Sequence, residues 1–288
     1  MGIAGNSLSK TPSSAAVDHS EKHMLELDLH GKTAVVSGST AGIGYATALA
    51  LATLGARVIV TGRTAKRVDA AVEAIALAAK TKDIAGVHGD LTTTEGTANL
   101  LRAIPHADIL VNNLGIFEPK AFEQIDDAGW MRFFETNVLS GVRLSRAYLP
   151  GMKTRNWGRI IFVSSESGLQ IPVEMIHYGV TKTAQLALAR GLAESVAGTG
   201  ITVNSVLPGP TRSEGVGTFV QQMAQQEGID EAEMERRFFR DVRPSSLIGR
   251  FLTVDEVANA IAFLCTPAAS GTTGSAMRVD GGVVRSIA

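Results

Sequence analysis

The sequence predicts an α/β fold in which seven strands form a mostly parallel sheet with helices on both faces. Two observations predict it. Short β-branched runs alternate along the chain with longer segments whose apolar residues recur at helical spacing. A glycine-rich stretch, Ser37–Gly44, joins the first such run to the first helical segment. Alternation of this kind is typical of βαβ units. We therefore expect a Rossmann-like, doubly wound sheet.

The predicted elements follow one another with short connections, each bounded by turn residues. The strands are Thr33–Ser37, Arg57–Thr61, a short one near Val87, Asp108–Asn112, Arg159–Ser164, Ile201–Leu207 and Ala276–Val279. The helices are Ile43–Leu54, Ala65–Lys80, Thr94–Ala103, Asp127–Leu149, Tyr178–Val196 and Val254–Cys265. Thr253 and Glu256 have the spacing of a capping box at the start of the last helix.

We expect a single domain over residues 25–288. Residues 1–24 are small and polar and lack the apolar centre of a secretory signal, which predicts a disordered extension or a cloning remnant. Residues 212–250 form an insertion after a strand, where open α/β sheets usually bind ligands, and are interpreted as a substrate lid. Within it, Gly228–Arg243 is expected to be an amphipathic helix with solvated charges.

Composition excludes several classes of function. A net charge of −1 implies no general attraction to nucleic acid or to an anionic membrane. No apolar run reaches the ~18 residues that a membrane span needs. The single cysteine, Cys265, lies in an apolar helical run and is expected to be a buried structural thiol in a reducing, cytoplasmic compartment. The six histidines are scattered, so no metal site is predicted.

The glycine-rich turn carries glycines at Gly38, Gly42 and Gly44. Such a turn lets backbone N–H groups approach a phosphate, and the following helix N-terminus favours negative charge there. An ordinary tight turn between strand and helix would show the same residues. The position after the first strand favours binding of a dinucleotide's pyrophosphate.

The end of the second strand bears on which dinucleotide is bound. NAD-binding proteins usually carry an acidic residue at this place, which holds the ribose hydroxyls. Here Gly62 stands there, followed by Arg63, with Lys66 and Arg67 nearby. Cations without a carboxylate suit a 2′-phosphate and favour NADP over NAD. The same charges could instead solvate a helix start, or an arginine could stack on adenine.

Tyr178 and Lys182 lie four residues apart, so on a helix their side chains share one face. A free tyrosine has a pKa near ~10, and a nearby cation lowers it. The pair could pass a proton to or from an alcohol or a carbonyl. The spacing alone is weak evidence, because packing also explains it.

Together these motifs resemble the short-chain dehydrogenase/reductase family over about Leu25 to Gly282. Further motifs follow in the family's order: "NNLG" at Asn112–Gly115, Asn137 in "FETNV", Ser165 thirteen residues before Tyr178, Pro208-Gly209 after the sixth strand, and Asp90 in "GDL". The resemblance implies an NAD(P)-dependent oxidoreductase that converts a ketone to a secondary alcohol or the reverse. A non-catalytic dinucleotide-binding regulator and, more distantly, an S-adenosylmethionine-dependent methyltransferase are the alternatives.

The resemblance also implies roles for individual residues. Tyr178 is the expected general acid/base, and Lys182 lowers its pKa and binds the nicotinamide ribose. Ser165 bonds the substrate oxygen, and Asn137 holds a water that links Lys182 to solvent. The expected cofactor contacts are Gly38, Ser39, Thr40, Gly42, Ile43, Gly44, Arg63, Asp90, Leu91, Asn113, Gly115, Lys182, Pro208, Gly209 and Thr211.

Two residues depart from the family's motifs. Ser37 replaces a threonine but keeps the hydroxyl, and Leu114 replaces an alanine, which adds bulk beside the cofactor's path. The loop acids Glu166 and Glu174 are expected to face solvent, and contact with a polar substrate is the alternative. A mostly apolar substrate with one carbonyl is expected, but the sequence does not separate an acyl-thioester 3-ketone, a steroid-like ketone and a sugar. The long helices Asp127–Leu149 and Tyr178–Val196 resemble the family's dimer-forming pair, which implies a homo-oligomer, a dimer or a tetramer.

Overall fold

Seven β-branched, apolar strands pair side by side in one sheet in the computed structural model, which describes residues 25–287. The predicted extension, residues 1–24, lies outside the described residues. The strands are β1 (Thr33–Val36), β2 (Arg57–Gly62), β3 (Ile84–His88), β4 (Ile109–Asn112), β5 (Gly158–Val163), β6 (Ile201–Pro208) and β7 (Ala276–Val279). Their order is β3-β2-β1-β4-β5-β6-β7, and each pairing is parallel. The predicted doubly wound α/β fold is confirmed.

The helices lie in the crossover connections between the parallel strands. They are α1 (Gly42–Thr53), α2 (Ala65–Ala79), α3 (Thr94–Ala103), α4 (Asp127–Phe134), α5 (Ser140–Arg155), α6 (Ile176–Ser195), α7 (Glu214–Glu227), α8 (Glu231–Arg237) and α9 (Val254–Cys265). The capping box at α9 is confirmed, since Thr253 Oγ1 accepts from Glu256 N at 3.2 Å and Glu256 Oε2 accepts from Thr253 N at 2.8 Å.

The helical region predicted at Asp127–Leu149 is longer and less regular than expected. Between α4 and α5 the chain forms a π-helical turn, Glu135–Leu139, and α5 continues past Pro150 to Arg155. Asn156 then ends the helix in the left-handed region, with φ at 51°. A π-helical turn arises from one extra residue in the helix, and such turns are frequent at functional sites.

The insertion after β6 contains the helix predicted within Gly228–Arg243, and a further helix, α7, that the sequence analysis did not predict. Ser213 caps α7 by accepting from Val216 N at 3.4 Å, and Gly228 ends it with φ at 66°. Helix α8 follows and runs into a π-helical turn, Phe238–Val242. Apolar residues of both helices pack on Phe251 in a small core of their own: Val220, Ala224, Met234 and Phe239. That core gives the insertion its shape.

Two apolar clusters cover the two faces of the sheet and hold the helices against it. One is built around Val36, Leu51, Val60 and Ile261, and the other around Leu110, Leu144, Ile160 and Val203. Cys265 is fully buried in the first cluster, as predicted. Because β1 and β4 are neighbours although β2 and β3 lie between them in sequence, the strand order reverses at this point. Open α/β sheets bind ligands in the crevice at such a reversal.

Candidate active site

Tyr178 and Lys182 lie on one face of α6, as their four-residue spacing predicts. Lys182 Nζ is 5.5 Å from the centre of the Tyr178 ring. The lysine is buried, with 4% of its surface exposed, and its Nζ donates to the carbonyl oxygen of Val163 at 2.9 Å. Tyr178 is half-buried, with the edge of Phe117 against its ring at 6.4 Å. The pair therefore lies at the carboxyl end of β5.

Burial dominates the proton affinities of this pair. Desolvation raises the pKa of Tyr178 above its usual value, and the Glu166 carboxylate acts in the same direction, while a hydrogen bond with Ser165 and the charge of Arg243 oppose them. Desolvation also lowers the pKa of Lys182 to about 7, against the attraction of Glu166. These groups together shift the pKa of Tyr178 upward, and the expected lowering by Lys182 stays a prediction. Desolvation disfavours the charged form of both residues.

Ser165 directly follows the end of β5 and is 5% exposed. Its Oγ accepts from Ser167 N at 3.1 Å, which caps a short helical turn, and donates to a carboxylate oxygen of Glu166. The serine hydroxyl thus lies between Tyr178 and Glu166.

Asn137 lies in the π-helical turn and has most of its polar groups occupied. Its Oδ1 accepts from Ile116 N at 2.8 Å, and its Nδ2 donates to Thr181 Oγ1 at 2.9 Å. Its backbone oxygen accepts from Gln185 Nε2 at 2.6 Å. Asn137 thus links the chain after β4 to α6 through Thr181, the residue that precedes Lys182. The expectation that it holds a water molecule stays a prediction.

The glycine-rich turn packs too closely for side chains. Gly38 and Gly42 have φ of 64° and 59°, which favours glycine. A Cβ on Gly44 would lie 2.4 Å from Gly38 O and 2.5 Å from Asn113 Nδ2. Because α1 begins at Gly42, its first N–H groups have no partner within the helix. The turn therefore presents unpaired donors at the crevice.

Hydroxyl and amide groups fasten this turn to the sheet. Ser37 Oγ donates to Val111 O at 3.2 Å and accepts from Asn113 N at 2.8 Å, so the serine preserves the function of a threonine hydroxyl. Asn113 Nδ2 donates to Gly38 O at 3.0 Å. Ser39 is fully buried, and its Oγ donates to Val36 O at 2.8 Å and accepts from Thr61 N at 2.9 Å. The side chain of Ser39 therefore supports the turn from inside.

The end of β2 is crowded at Gly62, so a larger side chain there would require Thr40 to move. A Cβ there would lie 2.5 Å from Thr40 Cγ2. Arg63 is exposed and close enough to Asp90 to lower the pKa of that carboxyl, although hydrogen bonds from Thr92 lower it more. Arg67 Nη2 lies 3.1 Å from Glu214 Oε2, so one of the predicted cations is paired with the insertion.

The remaining predicted cofactor residues lie around the same crevice. A Cβ on Gly115 would lie 3.3 Å from Lys182 Nζ. Leu91 is buried against the core, and Thr40 and Ile43 are half-buried beside the turn. After β6, Pro208 and Gly209 are buried, and Thr211 Oγ1 donates to Gly209 O at 2.9 Å.

The extra bulk of Leu114 reaches the glycine-rich turn. A Cβ on Gly38 would lie 3.0 Å from Leu114 Cδ2, and the leucine also packs against the buried cluster of Leu110 and Leu144. The core therefore absorbs part of this side chain.

Glu166 does not face solvent, and the expectation for it is wrong. It is 5% exposed and lies 3.5 Å from Arg243 Nε, and Arg243 Nη1 donates to Glu174 at 3.2 Å. The Arg243 side chain is only 11% exposed, so its charge does not lie on a solvated face either. Reasoning from the sequence missed this cluster, because nothing in the local pattern of the insertion links Arg243 to the segment after β5. The adjacency of Glu166 to Ser165 was the one available signal.

His177 points away from the Tyr178 face and packs on Phe133, with ring centres 3.8 Å apart. Within residues 25–287, no group of three or more histidine, cysteine, aspartate or glutamate side chains could hold a metal ion. No helix in the same range is long and apolar enough to cross a membrane.

This arrangement fits a nicotinamide dinucleotide. The crowded glycine turn and the free N–H groups of α1 suit a pyrophosphate. Arg63 lies at the end of β2, and Lys182 and Gly115 adjoin each other at the opposite end of the crevice.

Comparison with known proteins agrees with this geometry. A family model described as enoyl-(acyl carrier protein) reductase matches residues 38–284. The uncharacterized oxidoreductase YvaG of Bacillus subtilis (strain 168) is 45% identical, over 91% of this chain and 100% of its own. D-beta-hydroxybutyrate dehydrogenase of Cupriavidus necator is 36% identical, over 89% of this chain and 99% of its own. L-sorbose reductase of Gluconobacter frateurii, solved with NADPH and L-sorbose, superposes with a TM-score of 0.85 at 30% identity, over 91% of this chain and 100% of its own.

Fold and site together define an oxidoreductase that depends on a nicotinamide dinucleotide. The chain belongs to the short-chain dehydrogenase/reductase family, which its matches cover almost from end to end.

Proposed function

We propose that the protein interconverts a ketone and a secondary alcohol, with Tyr178 as the general acid/base and NADP(H) as the preferred cofactor. The observation that carries the proposal is the convergence of Tyr178, Ser165 and Lys182 at the carboxyl end of β5. When bound, the nicotinamide supplies or accepts the hydride.

The protein groups move and hold the proton. The Tyr178 phenol is protonated at neutral pH, since its pKa is raised above the ordinary tyrosine value, and it can donate to a carbonyl oxygen. Ser165 Oγ lies beside that hydroxyl and stabilises charge on the same oxygen. Burial lowers the pKa of Lys182 to about 7, and its ammonium would hydrogen-bond the nicotinamide ribose when the cofactor is bound. A protonated phenol can supply the proton that reduction of the ketone consumes. Asn137 connects the chain after β4 to α6, which carries Tyr178 and Lys182.

The test of the catalytic assignment is Tyr178→Phe, assayed on a panel of ketones by absorbance of the reduced cofactor. Loss of the general acid should reduce kcat by about 10²- to 10⁴-fold. Tyr148→Phe is the matched control, because that hydroxyl bonds Ile104 O in the core, and it should retain wild-type kcat. Unchanged turnover in Tyr178→Phe would refute the role. A wild type that binds cofactor but reduces no carbonyl would support the non-catalytic alternative.

Preference for NADP(H) is supported by the absence of an acidic side chain at Gly62, where Thr40 crowds a Cβ, and by the exposed Arg63. L-sorbose reductase was solved with NADPH. We expect Arg63→Ala to raise the KM for NADPH by about tenfold or more, since a charge-assisted bond to phosphate is lost, and to change the KM for NADH little. Initial rates with both cofactors measure this. Equal effects on the two would show that Arg63 does not read the 2′-phosphate.

The proposed substrate is a small carbonyl or alcohol compound. The first part of the loop before Tyr178 exposes Leu169, Ile171 and Val173, which can contact apolar parts of a substrate. The insertion over residues 212–250 is the proposed lid, because its end reaches this loop through Arg243.

A further inference from the structure

A buried cluster of charges lies next to the proposed acid/base and has no part in the roles assigned so far. It consists of Glu166, Glu174 and Arg243, and we refer to it as the cluster. Glu166 follows Ser165 in the chain, and Arg243 comes from the end of the lid. Both residues influence the ionisation of Tyr178. A substrate that reaches the half-exposed Tyr178 ring must therefore pass beside them.

The cluster keeps hydrogen-bonding capacity for a ligand. Glu166 accepts from the hydroxyls of Ser165 and Ser167, and a carboxylate offers about four lone-pair sites. Arg243 uses Nε toward Glu166 and Nη1 toward Glu174 and Val242 O. Its Nη2 donates to no other residue within the described part of the chain. Acceptors and a donor thus lie side by side.

The charges restrict which ligand group fits. Two carboxylates face one guanidinium, and Glu166 also interacts with Lys182, so no cation there is left without a carboxylate to attract a charged substrate. An apolar group here would leave the remaining donor of Arg243 and the remaining lone pair of Glu166 without a partner and away from water, which is costly. A hydroxyl both donates and accepts, so it can bond Glu166 and Arg243 together.

We propose, building on the proposed ketone reduction, that Glu166 and Arg243 form a hydroxyl-recognition subsite and that the substrate is a ketone with a hydroxyl next to its carbonyl. This replaces the expectation of a mostly apolar substrate.

The experiment compares kcat/KM within matched pairs of ketones, hydroxyacetone against butanone and dihydroxyacetone against diethyl ketone. Each pair exchanges hydroxyl for methyl. Wild type should prefer the hydroxylated ketone by about tenfold or more, the effect of a hydrogen bond to a charged group. Arg243→Met and Glu166→Gln should bring the ratio toward one. Because each ratio is taken within one variant, a smaller folded fraction cancels.

Arg236→Met is the matched control, since it makes the same change on the same lid at an exposed ion pair with Glu233, and it should keep the wild-type ratio. Equal loss for both ketones in Arg243→Met would show that Arg243 only holds the lid, and would overturn the proposal. Preference for acetoacetate or aminoacetone over hydroxyacetone would overturn it too. If the protein reduces other carbonyl compounds but no hydroxylated ketone, the subsite proposal alone is refuted. If it reduces no carbonyl compound, the proposed function is refuted.

Discussion

Lys182 shows how burial decides the chemistry of a single residue. Its position four residues after Tyr178 suggested that the lysine is a cation that lowers the pKa of the tyrosine. In the fold the ammonium is almost enclosed and bonded to one carbonyl, so its charged form is disfavoured. The four-residue spacing correctly predicted that Lys182 and Tyr178 lie on one face of the helix, but it carries no information on desolvation.

This burial makes stability depend on pH. Between a folded pKa of about 7 and the usual value of 10.5, the unfolded chain binds a proton at Lys182 that the folded chain lacks. The free energy of unfolding should therefore rise with pH above about 7, by up to about 1.4 kcal/mol per pH unit. The destabilisation is fully present below pH 7.

In Lys182→Met the free energy of unfolding should no longer rise with pH. Urea unfolding at several pH values between 6.5 and 9.5, a range that includes the folded pKa of Lys182, measures this. Lys153→Met, at an exposed lysine, serves as the control and should keep the wild-type slope. If Lys182→Met and the wild type gave parallel pH profiles, Lys182 would be charged in the folded protein.

At the scale of elements, the glycine-rich turn is held by contacts from two neighbouring strands. Asn113 after β4 and Thr61 in β2 both bond it, so its shape depends on the sheet as well as on its own glycines. The sequence pattern identified the turn. The fold shows that Gly44 is needed for close packing, and its expected contact with the cofactor stays a prediction.

Gly44→Ala should therefore weaken cofactor binding. Its Cβ would lie 2.4 Å from Gly38 O, which forces the turn to move. We expect the Kd for NADPH, measured by fluorescence, to rise by about tenfold or more, because preorganised phosphate contacts are lost. Gly191→Ala is the matched control: on α6 its Cβ meets nothing within 4 Å. That variant should bind NADPH normally and gain about 0.5–1 kcal/mol of stability. Equal binding by both variants would contradict the packing argument.

The lid is the element that sequence reasoning described least well. Two glycines within α7, Gly215 and Gly217, weaken the helical pattern there, and the charges of α8 resemble a solvated surface. Only the packing of both helices on Phe251 makes this segment an ordered unit. Arg243 at its end then reaches Glu166, a contact between distant parts of the chain.

At the scale of the whole molecule, the resemblance to the family led us to expect a homo-oligomer formed through the helices around residues 127–149 and 178–196. The structure leaves Met131 on α4 62% exposed, a large apolar side chain in that region. We expect light scattering to give two or four times the 30.2 kDa of one chain. Met131→Asp should shift the mass toward the monomer, because a charge would be buried in the interface.

Leu77→Asp is the control for this test. Leu77 is also a large apolar residue on a helix, 81% exposed, but it lies on α2 away from the expected interface. It should leave the mass unchanged. A monomeric wild type would rule out the expected assembly.

The sequence by itself determined the sheet, its crossovers, the glycine-rich turn and the shared face of Tyr178 and Lys182. These features follow from short-range spacing, because helix and strand periods set which side chains share a face. The folded arrangement was needed to show that burial raises the pKa of Tyr178 and that Glu166 pairs with Arg243. Desolvation and long-range pairing depend on which segments the fold brings into contact, and no local pattern carries that information.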